Sequence, residues 1–541
     1  MKHNLKPLIQ NYLNELADFQ PVSATAWGMT GHEGKVVDLS QARIQGHVKF
    51  LAEMEKKLSQ GILPSAKNKI EHGIELSLLK SDLALRIQEW TQTKKYREDP
   101  TRYIGDLVYG LWYLHLRCPD RALKVEASLQ RLRNSQEVLI AARKNLENPP
   151  KLWTQIAIQE AEGFLEFLKE VRRELLRLSP RRRREIEAAI AEGVKAAKGF
   201  LEFFRKDLLK RSRGKFAVGA KEYNFLLKHY HHYDINADQL YRLGQEKFSE
   251  VKEELREQAA RIDPKQPWNR LVEKIKLDHP RKSAVINGYR AETRRLRKYV
   301  LDKKLVSIPK GEKLNIIETP VFTRHTIPFA AYVDPPMFSG KNFGTFFVTP
   351  VSTKNTREAK AILQEHNFAV LRVTSLHEAY PGHHLQFAKQ KNAPGTMMKI
   401  FHCSSFFEGW ALYCEEMMYE QGYYDAPTRL IQLKDKLWRA CRILVDVNIQ
   451  RGEWSDEEAV SFMARELKMA RASARADVNW YTMSPTIPQS YFSGMLRIKA
   501  LREKVQKKQG AKFSLKKFHD DFLQFGAIPI PLVEKALLAR A

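Results

Sequence analysis

Only one window of this chain reads as β-structure. Between residues 313 and 350 the runs LNIIE, PFAAYV and GTFFVTPV are short, rich in β-branched and aromatic residues, and separated by Pro and Gly. That is the pattern of strands joined by turns. Almost everywhere else apolar residues recur at helical spacing. Leu5, Leu8, Ile9, Tyr12, Leu13 and Leu16 form one stripe over residues 4 to 19, and Asp38-Leu39-Ser40 introduces a helix running through FLAEMEKKL. The intervening PVSATAWGMTGHEGKVVDLS is rich in small, turn-forming residues and reads as a loop. Helices continue to about residue 308, with breaks at Gly61 to Ser65, Asp99-Pro100, Asn148 to Pro150, Ser179-Pro180, Asp234 to Ala237 and Pro264 to Pro267. The expected fold is mainly α. A helical region spans 1–308, and a region over 309–541 carries the small sheet (313–350) and further helices, ending in a pair at 489–509 and 514–539. The two regions are expected to form one continuous body.

Composition matters here for what it excludes. With 43% hydrophobic and 28% charged residues in 541, the chain can bury a large core and is not disordered. Its 91 Lys and Arg against 63 Asp and Glu give a net charge of +28, which raises the question of nucleic acid. The cations are spread over many helix faces and no basic, aromatic-interleaved motif accompanies them, so a solvated surface is the expectation. The densest run, Arg181 to Arg184, falls in the first turn of a helix, where cations are poorly placed. Four cysteines, Cys118, Cys403, Cys414 and Cys441, show no CxxC pairing, which points to a reducing compartment. The opening MKHNLKPLIQNYLNELADF is polar on every turn, unlike a signal peptide or membrane span. A soluble, cytoplasmic protein is expected.

The chemistry concentrates in TSLHEAYPGHHLQ, residues 374 to 386, which sets three histidines and a glutamate across a Pro-Gly break. In an HExxH helix two histidines one turn apart reach a zinc ion at about 2.0 to 2.1 Å. Here the position four after His377 is Pro381. On a straight helix His383 would point about 120° off the face, and His384 would lie about 10 Å along the axis. Pro381 removes the difficulty. Its ring clashes with the carbonyl of His377 and pushes Tyr380 out of helical geometry, and Gly382 frees the backbone for a tight turn. Either His383 or His384 can then swing into the vacant position. His383 is favoured, because deleting the inserted residues leaves Gly-His, and the unused histidine would line the site as an alternate ligand or oxyanion contact.

A third ligand is expected from a later helix. Glu408, in FFEGWALYCEE, stands in an otherwise apolar setting where a carboxylate is costly unless paired or coordinated. Glu415, seven residues on, is close to the same face and could orient a ligating histidine. Glu378 beside His377 is the general base of such a site. An exposed strand beside the metal could hold a peptide backbone, and GTFFVT is the candidate strand.

The motif HEAYPGHHLQ with FFEGWALYCEE downstream resembles the DUF885 family, whose members are predicted zinc-dependent peptidases of the gluzincin type. PVSATAWGMTGHEG, TPVFTRHTIPFAAYVDPP, GTFFVTP, RACRILVDVNIQRGEWSDEEA and FHDDFLQFGAIPIPLV follow in the family's order. The resemblance implies metal binding by His377, the 383/384 pair and Glu408, with Glu378 as base. It further implies an oxyanion contact from Tyr491, which precedes Gly494, and support or substrate contacts from Arg442 and Asp446. The chain departs from the family at Asn448, Gln450, Trp480 and Thr486-Ile487, so substrate preference is not carried over. Together these readings lead to a zinc-dependent metallopeptidase acting on short peptides. The rivals are a metal-dependent hydrolase of another amide or ester, and a non-enzymatic basic helical protein that binds nucleic acid.

Overall fold

Local capping decides where the helices begin. In the computed structural model, which describes residues 2–64, 68–320, 324, 327, 329–340, 343–351, 353 and 355–540, Asn4 caps the Leu5–Phe19 helix by accepting from the Lys6 amide. Ser40 does the same for Gln41–Ser59. The fold is mainly α with one small sheet. The expected breaks all interrupt helices, although Ser65, the end of the first of them, lies outside the described residues. Two expectations need correction. PVSATAW is a helix, Pro21–Trp27, started by Pro at its first position and ended by Gly28 at φ +79°, which is the usual use of both residues. The expected 514–539 helix is two helices, Leu515–Leu523 and Ile530–Arg540, separated by a segment containing Gly526 at φ +77° and Pro529.

The sheet has three strands, β1 (Lys313–Glu318), β2 (Ala330–Val333) and β3 (Phe343–Val348), in the order β1-β3-β2. β3 pairs in parallel with β1, Leu314 opposite Gly344, and antiparallel with β2, Tyr332 opposite Phe346. GTFFVT is therefore the central strand, paired on both sides, and offers no edge to a peptide. Its Phe346, Phe347 and Val348 are buried, as expected where both faces are covered. Among the described residues β2 is the outer strand on the antiparallel side. Residues 321–323, 325–326 and 328 of the quoted TPVFTRHTIPFAAYVDPP segment lie outside the described residues.

The chain divides into two compact units, Met1–Phe216 with Pro336–Gly340, and Ala217–Pro335 with Lys341–Ala541. In the first, the Lys151–Leu178 and Arg183–Phe203 helices pack together and bury Phe164, Phe167, Phe200 and Phe203. The arginine run is partly neutralised there, since Arg182 pairs with Glu126 and Glu185 at 2.8 and 2.7 Å. In the second, Ala237–Ile262 packs on Ala426–Arg451, and Ser404–Glu420 packs on Ser490–Gln509. The last pair meets backbone to backbone. A Cβ at Gly409 would stand 2.6 Å from Gly494 Cα, and one at Gly494 would stand 2.0 Å from the Ser405 carbonyl oxygen. This close crossing sets the Glu408 and Tyr491 helices side by side.

Candidate metal centre

The Phe368–Glu378 helix is capped by Asn367, which accepts from the Val370 amide, and it ends at the glutamate of the His-Glu pair. Past it the chain turns through a cis Tyr380-Pro381 bond and resumes as the His383–Gln390 helix. The turn is closed by the Gly382 amide donating to the Leu376 carbonyl at 3.1 Å. Only glycine fits there, because a Cβ would sit 1.9 Å from the His377 carbonyl oxygen. The Trp410 indole on the Ser404–Glu420 helix donates to the Pro381 carbonyl at 2.8 Å, tying the turn to the helix that carries Glu408.

The turn and the helix bring three ligand-type side chains together. One donor atom from each of His377, His383 and Glu408 lies within 4.8 Å of the other two. Nε2 of His383 is 3.3 Å and Nε2 of His377 is 3.6 Å from the same Glu408 oxygen, Oε2. That oxygen is buried and, among the described residues, has no hydrogen-bond partner, and neither has His383 Nδ1. Burial would raise the Glu408 pKa, but the two imidazoles outweigh it and hold the carboxyl well below the usual carboxylate range. On the far side of His377, Nδ1 is 2.8 Å from Oε1 of Glu415, which is fully buried. The pair fixes that ring's orientation and leaves Nε2 for the cluster. Two imidazole nitrogens and one carboxylate oxygen, with a carboxylate behind one imidazole, are a donor set that fits a divalent cation of the zinc type.

His384 is not part of this cluster. Its Nε2 meets Glu312 at 2.7 Å and its Nδ1 meets the Tyr332 hydroxyl at 3.1 Å. Glu312 also accepts from the Tyr380 hydroxyl at 2.7 Å and from Arg297 at 3.3 Å. Both ring nitrogens of His384 are thus engaged, away from the His377, His383 and Glu408 group. Asp446 is fully buried and accepts from the Tyr223 hydroxyl at 2.8 Å and the Thr486 amide at 3.3 Å, so it cannot touch a substrate. Desolvation pushes its carboxyl up to about 8. Arg442 is buried as well. Its guanidinium donates to the Tyr481 hydroxyl at 2.9 Å and lies 4.6 Å from the centre of the Tyr491 ring, supporting that tyrosine from behind.

Glu378 and Tyr491 both line the cavity over the cluster, about 300 Å³ in volume. Burial first, and then the Glu408 charge, raise the Tyr491 pKa, so its phenol stays protonated and able to donate. The β2 residues Ala330, Ala331 and Tyr332 form one wall, and Phe387, His402 and Phe407 form another. Phe387 stacks on His402 with ring centroids 5.5 Å apart and is 5.7 Å from Phe407. Sequence reasoning did not single these out. Phe387 stands four residues after His383, on the same helix face, and Phe407 precedes Glu408, so spacing from the ligands could have found both.

Fold and site together define a mainly helical protein with a small sheet and a His-His-Glu cluster built around a helix break. The chain belongs to the DUF885 family, described as bacterial proteins of unknown function, whose family model matches residues 21–537. Two solved structures are similar over its length. One, from Shewanella oneidensis, is described as a "putative lipoprotein of unknown function"; it is 22% identical with a TM-score of 0.82, covering 99% of this chain and 100% of that one. The other, a "putative lipoprotein" from Colwellia psychrerythraea, is 19% identical with a TM-score of 0.83, covering 99% and 98%. At these identities the likeness carries the fold alone. No curated protein matches the chain. Among the described residues no helix is long and apolar enough to cross a membrane.

Proposed function

We propose that this chain is a zinc-dependent metallopeptidase that hydrolyses short peptides. One observation carries the reading. His377 and His383 aim their Nε2 atoms at a buried, otherwise unpartnered Glu408 oxygen, in a cavity that also holds Glu378. A zinc ion held by His377, His383 and Glu408 would supply a Lewis acid beside the scissile carbonyl and bring the pKa of water toward about 7. Glu378 is the group placed to take the proton from that water and pass it to the leaving amine. Tyr491 donates to the oxygen that becomes negative. The outer edge of β2 receives the substrate backbone as an added strand, the part first sought in GTFFVT. The aromatic wall of Phe387, His402 and Phe407 suits an apolar side chain next to the scissile bond.

Four buried, unpaired cysteines support the cytoplasm as its compartment, and fractionation of the native host tests that. The chemistry is tested with Glu378→Gln. The variant should bind zinc as the parent does and lose at least about 100-fold in peptide hydrolysis. Zinc below one equivalent in the parent, or full activity in the variant, defeats the reading.

A further inference from the structure

Glu312, held by His384 and Tyr380, also lines a second cavity of about 460 Å³ together with Arg290, Thr293, Arg294, Arg297 and Tyr380. The three arginines and the threonine lie on one face of the Val285–Asp302 helix, spaced by three and four residues. Like charges one turn apart repel, and the other cations of this helix avoid the problem. Arg295 pairs with Glu292 at 2.9 Å and Lys298 pairs with Asp302 at 2.5 Å. The three arginines facing the cavity share a single carboxylate, Glu312. That carboxylate cannot turn toward all of them. Its Oε2 is committed to His384 and Tyr380, and its Oε1 takes only Arg297, at 3.3 Å. Arg290 spends its Nε and Nη2 on the Ile316 carbonyl of β1, at 3.3 and 2.9 Å, and its Nη1 on the Asn287 side-chain oxygen at 3.3 Å, all neutral acceptors. Among the described residues Arg294 makes no hydrogen bond or ion pair.

Thr293 adds an independent sign. It is 5% exposed, and its hydroxyl has no hydrogen-bond partner. A threonine inside a helix normally returns its hydroxyl to the carbonyl one turn back, and leaving a buried hydroxyl unmatched is costly. The Thr293 side chain lines the cavity between Arg290, Arg294 and Arg297; its hydroxyl is closed off from the cavity in this rotamer and reaches it by a turn about the Cα–Cβ bond. Three guanidiniums against one carboxylate leave a charge of plus two, the complement of a dianionic oxyanion. Guanidinium forks with a hydroxyl match the geometry of a phosphate group. Leu314, Ile316 and the Tyr380 ring supply apolar wall beyond the charges, and the volume exceeds what one phosphate needs.

We infer that this cavity binds a phosphate dianion, either free or as the monoester of a small organic molecule, at Arg290, Thr293, Arg294 and Arg297. The site goes beyond the peptidase reading and does not depend on it. Calorimetric titration of the full-length protein with inorganic phosphate at low ionic strength, against matched chloride, tests it. One-to-one saturable binding is expected. Arg294→Gln and Thr293→Val should each weaken it by about tenfold, the loss of one charge-assisted or buried hydrogen bond, and Arg256→Gln, a cation outside this cavity, should leave it unchanged. No saturable heat, or equal affinity in Arg294→Gln, Thr293→Val and the parent, overturns the inference. A parallel titration with glycerol 3-phosphate separates the sources. Tighter binding than inorganic phosphate assigns the apolar wall to an organic body, and equal or weaker binding makes free phosphate the occupant; both uphold the site.

Discussion

Glu408 is a half-buried carboxylate whose buried Oε2 meets, among the described residues, two imidazoles. Burial depresses the His377 imidazole, but Glu408 and Glu415 outweigh that and push it up to about 10. A divalent ion held there would displace that proton, so the carboxylates around His377 favour positive charge at its Nε2. Glu415 would contribute without touching such an ion, because it sits 2.8 Å behind His377 Nδ1. Glu415→Gln keeps the shape and an acceptor oxygen but removes the charge. Zinc affinity, measured by competition with a chromophoric chelator, is expected to fall by about 10- to 100-fold. Unchanged affinity would reduce Glu415 to a packing residue. At this scale the sequence was informative where the physics is local. Pro381 and Gly382 announced the helix break. The choice between His383 and His384 was open for a concrete reason: it depends on Glu312 and Tyr332, which lie 72 and 52 positions from His384 and meet it only in the fold.

Among elements, the crossing of Ser404–Glu420 with Ser490–Gln509 does most to build the site, since one helix carries Glu408 and the other Tyr491. Gly409 and Gly494 let the two backbones touch. Gly494→Ala would press a methyl to 2.0 Å from the Ser405 carbonyl oxygen, against backbone that cannot rotate away. The expected cost is about 1–3 kcal/mol of stability, read as a lower Tm, with a matching fall in hydrolysis as Tyr491 is carried away from Glu408. A variant with the parent's Tm would show that the helices can part freely. Helix periodicity made both elements visible in EGWALY and in the stretch around YFSGM, yet nothing local says that they cross. The sheet failed in the same way. Its three strands were legible from composition, whereas the order β1-β3-β2 is set by pairing between distant segments and puts GTFFVT in the middle. PVSATAW was misread because its small residues resemble a loop, although Pro21 and Gly28 are a helix start and stop.

Across the Ala217–Pro335 and Lys341–Ala541 unit, buried histidines set the response to acid. His231, His366 and His519 are each fully buried. Burial is the largest cause in every case, holding them down to about 3, about 4 and about 4. Their partners are neutral: the Thr486 carbonyl for His231, the Tyr289 hydroxyl for His366, and the Leu305 carbonyl with the Tyr413 hydroxyl for His519. An unfolded histidine takes up its proton near pH 6.5. From about pH 6.5 down to about 4 the unfolded chain therefore binds three protons that the folded unit refuses, and stability falls as pH falls. Asp446, raised to about 8 by burial, works in the opposite sense over the same window, because the folded state holds its proton and the unfolded state has lost it. His232, held down to about 4 by burial, adds a fourth proton, and four against one leave a slope of about 4 kcal/mol per pH unit. The urea midpoint, followed by tryptophan fluorescence, should drop steeply between pH 6 and 4.5, and should fall again as pH rises from 7 through 8, where folded Asp446 and His377 still hold protons that the unfolded chain has released. His519→Gln, which keeps a neutral hydrogen-bonding side chain, should make that drop shallower by about 1.4 kcal/mol per pH unit. A midpoint that stays level down to pH 5 would mean that these histidines are protonated in the folded unit, with carboxylates or water reaching rings that the packing otherwise seals.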